Sequence, residues 1–312
     1  MKTGPVLLIF LDGVGLGSAD GLRNPFVAAA LPHLSRLLNG RMLDGSLPRL
    51  NGEELSFVPT DANLGVDGDP ESATGQAVLF SGVNIPRRLG YHYGPKPNRR
   101  IMALLRRHNL IRKLKEAGLQ SRLLNAYPPA YFESICSGRR LFSAIPLAFH
   151  LAGIPLFTDV DLMRGDALSA DFTGRGWQTR LRYADAPVLS AHKAGHKLAA
   201  LASRFDFSVV DHWPTDYAGH FGEMRGAVRM LEVLDQVIGG LMEAMRGTSL
   251  TVVLTSDHGN IEDLSHRGHT RNPVPTLVLG PWERRIRFAN SIRDLTNIAP
   301  AILDAFDIKT LV

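Results

Sequence analysis

Short aliphatic and β-branched runs alternate along this 312-residue chain with longer stretches of helical spacing, and that alternation restricts the fold more than any other feature. Such a pattern builds an α/β protein with a largely parallel sheet, because each helix carries the chain back to the start of the next strand. Strands are expected over residues 6–11, 121–126, 207–211, 250–255 and 275–279. Helices are expected over 73–79, 109–117, 191–203 and 297–306, with the clearest one after Gly222. There Ala227, Val228, Leu231, Leu234, Ile238 and Leu241 recur at helical spacing and Arg225, Arg229 and Glu232 fall on the other face. Residues 128–187 have weaker periodicity and many Gly, Pro and Asp, which predicts a small cap inserted over a core made of 1–127 and 188–312.

In open α/β sheets the ligand crevice lies at the carboxyl ends of the strands. Asp12 follows the first run in LDGVG, Asp216 and His220 follow another in DYAGH, Asp257 and His258 follow a third in SDHGN, and His269 precedes the last in HTRNPVP. A lone Asp after a strand is ordinarily a turn or cap residue, and a lone His a satisfied core or surface group. Three carboxylates and three imidazoles at successive strand ends instead have the composition of a Zn or Mn site. Two divalent ions against three carboxylates would leave an excess of about one positive charge to attract a phosphate.

The nucleophile is expected in GDPESATGQAVLFSG, where Ser72 precedes a helical pattern and free N–H groups face an incoming anion. Thr74 is the neighbouring rival, and a plain N-capping role is the alternative for Ser72.

These motifs resemble, in order, those of the alkaline phosphatase superfamily, within it the branch of cofactor-independent phosphoglycerate mutase and phosphopentomutase. The matching segments are LIFLDGVGLG, SATGQAVLFSG, DYAGH, TSDHGN and HTRNPVP. The resemblance implies an α/β three-layer sandwich with a mostly parallel central sheet. It also implies two divalent metal ions, Mn or Zn, one held by Asp12, Ser72, Asp257 and His258, the other by Asp216, His220 and His269. Ser72, Gly75 and Gly82 keep the family's spacing around the nucleophile, which favours Ser72 over Thr74, whereas Gln76 stands where the mutases often have His. A phosphoseryl intermediate follows from the resemblance.

A phosphomutase must shield its phosphoenzyme from water, and the 128–187 segment is far smaller than the insertion of the glycerate mutases. The expected activity is therefore a phosphatase-type hydrolase acting on a small phosphorylated metabolite, with a phosphomutase as the nearest alternative. A catalytically silent metal-binding regulatory protein is the alternative from another class. Arg87, Arg88 and Lys96 are the expected substrate-binding cations, drawn from a basic stretch that also holds His92, Arg99 and Arg100. Tyr127, Tyr131 and Trp213 are candidate pocket walls, Asp211 and His212 candidate ligand-orienting groups, and His266 has no assigned role.

Net charge is +5, but the basic residues lack the aromatic interleaving of a nucleic-acid module, so no nucleic-acid partner is expected. The opening MKTGPVLLIF is too short for a membrane span and has no cleavage site, so a cytoplasmic protein without a membrane partner is expected. A single Cys136 fits a reducing compartment.

Overall fold

The computed structural model describes residues 4–308; the outermost residues of the expected core, 1–3 and 309–312, lie outside it. Nine strands occur among the described residues: Val6–Leu11 (β1), Leu50–Asn51 (β2), Leu55–Thr60 (β3), Ser121–Leu123 (β4), Ala126–Tyr127 (β5), Phe157–Thr158 (β6), Phe207–His212 (β7), Thr251–Thr255 (β8) and Val274–Leu279 (β9). Seven form one sheet in the order β2-β3-β9-β8-β1-β7-β4, and β5 pairs with β6 separately. β1 lies between β7 and β8, parallel to both, and β4 is parallel to β7. β9 runs antiparallel to β8 and to β3, so β3 points the same way as β1 and the sheet is mostly parallel through its core.

Every residue of β1 is buried, and successive side chains enter opposite cores. Val6, Leu8 and Phe10 join a cluster with the helices Ser72–Ser81, Leu110–Glu116, Ala144–Leu151 and Ile298–Asp304. Leu7, Ile9 and Leu11 join the cluster beneath Ala191–Ala202 and Met224–Met245. Helices on both faces of one sheet make the three-layer sandwich. No described helix is long and apolar enough to cross a membrane.

Two expectations are corrected. β3 lies outside the expected strands and carries Pro59, an uncommon residue within a ladder. Pro59 faces Pro275 across the ladder, beyond the last residue that pairs with β2 on one side or with β8 on the other, so neither proline removes a sheet hydrogen bond. The single strand expected over 121–126 is divided between two sheets. Asn125 replaces the ladder with its side chain, accepting from Asp211 N–H at 2.7 Å and donating to Asp211 O at 2.8 Å, and the chain then leaves β7 for β6.

The 128–187 segment has two parts. Ala144–Leu151 packs against the Ser72–Ser81 helix in the main core, while Leu162, Ala167, Trp177 and Ala186 gather with Ala126 in a small cluster of their own.

Candidate metal centre

The register explains the convergence. Phe10 stands level with Asp211 on one side and Thr255 on the other, so β1, β7 and β8 end together and the loops after them meet. Gly13, with φ 68°, turns the first loop so that its α-carbon faces Asp216 without a side chain between them. Thr215 Oγ1 donates to Asp12 O at 2.6 Å, and Asn260 Nδ2 donates to Asp216 Oδ1 at 2.7 Å, which ties the three loops together.

Asp12, Ser72, Asp216, His220, Asp257, His258 and His269 all enter this space. His258 Nε2 lies 3.4 Å from Asp12 Oδ1, 3.6 Å from Asp257 Oδ2 and 3.0 Å from Ser72 Oγ. Asp216 Oδ1 lies 3.4 Å from His220 Nε2 and 3.6 Å from His269 Nε2, and those two nitrogens are 3.1 Å apart. Donors held about 2.0–2.1 Å from one tetrahedral Zn²⁺ are about 3.3 Å apart, so the spacing suits an ion among them.

The imidazoles are turned for that purpose. Nδ1 of His220 and of His269 each lies 2.7 Å from a backbone carbonyl, of Arg267 and Pro70, and His258 Nδ1 is 3.3 Å from Gly259 O. A carbonyl only accepts, so each neutral ring carries its proton on Nδ1 and presents the Nε2 lone pair to the centre. Asp12 Oδ1 and both oxygens of Asp257 are buried without a hydrogen-bond partner, which is costly unless a cation meets them. Burial, then the Asp257 and Asp216 charges, raises the Asp12 carboxyl well above the usual range, and burial followed by Asp216 does the same to Asp257. Burial, then His269, pushes His258 well below its ordinary value. These donors thus fit divalent metal. Asp12, Asp257 and His258 form one compact donor group, and Asp216, His258 and His269 another, each with donor atoms within 4.8 Å of one another. The first is enclosed, whereas the Asp216 and His220 side chains remain 20% and 30% exposed, so the second faces the entrance.

Ser72 is the first residue of its helix and its hydroxyl turns to His258, so it does not cap the helix; Glu71 holds the N-cap position. Thr74 is turned away, its Oγ1 bonded to Glu71 O at 3.0 Å. Gly75 lets the helix approach, since a Cβ there would lie 2.8 Å from Asp257 Cβ and 2.9 Å from Asp257 O. Gln76 donates to Asp12 Oδ2 at 3.3 Å.

The expected substrate-binding cations separate. Lys96 lies at the flank of the centre, its Nζ donating to Ser143 Oγ at 2.7 Å and its charge felt by Asp211 and Asp12. Arg87 and Arg88 do not join the centre. They line a cavity of about 610 Å³ beside Gly82, at the far end of the Ser72–Ser81 helix, ~14 Å along its axis from Ser72. The Tyr127 and Tyr131 rings pack with their centroids 4.4 Å apart at a tilt of 31°, close to Asp211, and Trp213 is 45% exposed. His212 bonds Ala170 O at 2.6 Å and stacks on Phe172, and His266 is on the surface near Asp263; neither enters the donor set.

Sequence reasoning missed Glu262. Wholly buried, it accepts from the N–H groups of Gly15 and Asn260 at 2.9 and 2.7 Å, from Asn272 Nδ2 at 3.1 Å and from the Thr270 hydroxyl. It therefore joins the loops that carry Asp12, Asp257 and His269. Its signal was a carboxylate four residues after His258 in SDHGNIE.

The Metalloenzyme superfamily model matches residues 183–310, which include Asp216, His220, Asp257, His258 and His269. The 2,3-bisphosphoglycerate-independent phosphoglycerate mutase of Cereibacter sphaeroides is 32% identical over 127 residues, 38% of this chain and 24% of the mutase. That of Moorella thermoacetica is 31% identical over 135 residues, 41% of this chain and 26% of the mutase. Matched regions thus span about a quarter of these relatives' length. In fold, the alkaline phosphatase of the Antarctic bacterium TAB5 superposes with a TM-score of 0.54 at 13% identity, covering 99% of this chain and 100% of that one. The PH0037 protein of Pyrococcus horikoshii gives 0.57 at 13% identity over 100% of both chains.

Residues 183–310 thus match the Metalloenzyme superfamily, part of the chain is similar to phosphoglycerate mutase, and the fold is alkaline phosphatase-like. The superfamily match holds the five donors that follow β7 and β8, and the fold supplies the remainder, bringing Asp12 and Ser72 to them from outside the matched stretch.

Proposed function

We propose that the chain is a two-metal phosphoester hydrolase of the phosphatase type, with Ser72 as nucleophile and a small phosphorylated metabolite as substrate. The observation that carries this reading is Ser72 Oγ, 3.0 Å from His258 Nε2 at the start of a buried helix and beside carboxylate oxygens that have no other partner. Two divalent ions, Mn or Zn, held by Asp12, Ser72, Asp257 and His258 and by Asp216, His220 and His269, would favour the serine alkoxide and offset charge on the phosphoryl group.

Ser72 gives up its hydroxyl proton to water and its Oγ attacks phosphorus in line; the bond to the ester oxygen breaks, and that oxygen leaves with a proton from water. Water then attacks the phosphoseryl group, the P–Oγ bond breaks, and a proton released by that water restores the Ser72 hydroxyl. In the first turn Thr74 and Gly75 N–H are already bonded, to Tyr93 O and Glu71 O, which leaves the Ser72 and Ala73 N–H groups for phosphoryl oxygens. The leaving group points toward the open Asp216 and His220 side, and Lys96 on the flank binds a substrate anion. The cap is then the part of 128–187 outside the core helix Ala144–Leu151.

Ser72→Ala is expected to lower hydrolysis of an aryl phosphate by ~10³-fold or more while metal content by mass spectrometry is unchanged. Activity surviving the substitution would remove Ser72 from the mechanism. The likeness to phosphoglycerate mutases favours a second reading, positional transfer within one substrate. Inorganic phosphate as the main product from several sugar and glycerate phosphates supports the hydrolase; isomerised substrate without phosphate release overturns it.

A further inference from the structure

A second cluster of metal-type donors lies on the outer helix layer. His192 and His196 are four residues apart on Ala191–Ala202 and share a face of that helix. Glu243, near the end of Met224–Met245, meets both of them. His192 Nε2 lies 3.0 Å and His196 Nε2 3.7 Å from the same Glu243 Oε2. One donor atom from each residue falls within 4.8 Å of the other two, and the imidazole centroids are 4.9 Å apart.

The backbones beneath this cluster are held by the helix crossing, independently of the three side chains. A Cβ on Gly195 would run into the Val237 carbonyl and lie 2.5 Å from Leu241 N, and one on Gly240 would run into the His192 carbonyl. Here backbone packs directly on backbone. His192 and His196 flank Gly195, and Glu243 stands about one turn beyond Gly240, so the donor residues have little freedom to move apart. A simple surface ion pair needs one imidazole per carboxylate, whereas two Nε2 atoms here address one oxygen.

We propose that His192, His196 and Glu243 bind a divalent transition-metal ion of the zinc type, with its fourth position open to water, and that the ion clips the two outer helices together. Two imidazoles and a carboxylate are a donor set that Zn²⁺ accepts in tetrahedral geometry. The site is separate from the catalytic centre: from Met224, just after His220, to Glu243 the helix runs ~28 Å. Side-chain exposures of 44%, 42% and 56% let the ion load directly from solvent.

The test is Zn²⁺ titration of the metal-stripped full chain beside His196→Ala and Glu243→Gln, with bound metal counted after dialysis. Each variant should bind one equivalent fewer than the wild type. Each should also lose the part of the Zn²⁺-dependent rise in melting temperature that belongs to this site, with aryl phosphate turnover unchanged. Metal-free urea midpoints equal to the wild type's establish that the variants fold. Equal Zn²⁺ stoichiometry in all three proteins overturns the proposal. Because the readout is a difference between variants, it holds however many ions the catalytic centre takes.

Discussion

Asp211, the last residue but one of β7, lies near Asp12 without entering the donor set. Burial lifts its carboxyl to about 7, against the pull of Lys96, and its Oδ1 has no partner. Because the folded value exceeds the unfolded one, the native chain holds an extra proton between about pH 4 and pH 7. The stability that this proton represents is complete at the acid end of that window and is lost as pH rises through 7. Asp211→Asn keeps the shape and removes the titration, so it should be more stable relative to the wild type at pH 8 than at pH 5. The gain is a few kcal/mol, since each tenfold difference in proton affinity between the folded and unfolded chain is worth ~1.4 kcal/mol. Urea denaturation at the two pH values measures this, and a difference that does not vary with pH would show an ordinary carboxyl. Glu262, by contrast, is a buried carboxyl group whose oxygens meet several donors.

The Ser72–Ser81 helix depends on a missing side chain. In Gly75→Ala the added methyl meets Asp257 backbone and side chain, so the helix must withdraw from the loop that carries Asp257 and His258. Helical content should persist, since alanine favours helix, while turnover falls ~10²-fold through misplacement of Ser72. Circular dichroism together with aryl phosphate kinetics separates the two effects, and unaltered kinetics would mean that the loop yields. Elements of this kind were legible where the cause is local. β1, β7 and β8 show as aliphatic runs, and a carboxylate or imidazole beyond each run needs only the register to meet the others. Elements whose cause lies across the fold were hidden. β3 depends on Pro59 meeting Pro275, the end of β4 on the Asn125 side chain, and the exclusion of Arg87 and Arg88 on the length of a buried helix.

Across the whole molecule, the candidate metal centre joins both sides of the sheet's carboxyl edge, so on the proposed function metal removal should weaken the fold as well as stop turnover. Without a cation, burial and the neighbouring carboxylates raise Asp12 and Asp257 well above the ordinary carboxyl range, which favours their protonated forms. Their raised values make the metal-free chain most stable at acid pH and progressively less so as pH climbs. The drop in melting temperature caused by a chelator should therefore be larger at pH 8 than at pH 5.5, and Zn²⁺ or Mn²⁺ should reverse it. Calorimetry with and without chelator tests this; equal melting temperatures would remove the centre from the stability of the fold.

The central place of β1 has a further consequence, for synthesis. Its two neighbours in the sheet, β7 and β8, begin at Phe207 and Thr251. At ~5–20 residues per second a ribosome needs on the order of ten seconds or more to deliver them after β1. During that interval an entirely apolar strand has no partner on either edge, so the nascent chain would be a natural client for chaperones that hold extended apolar segments.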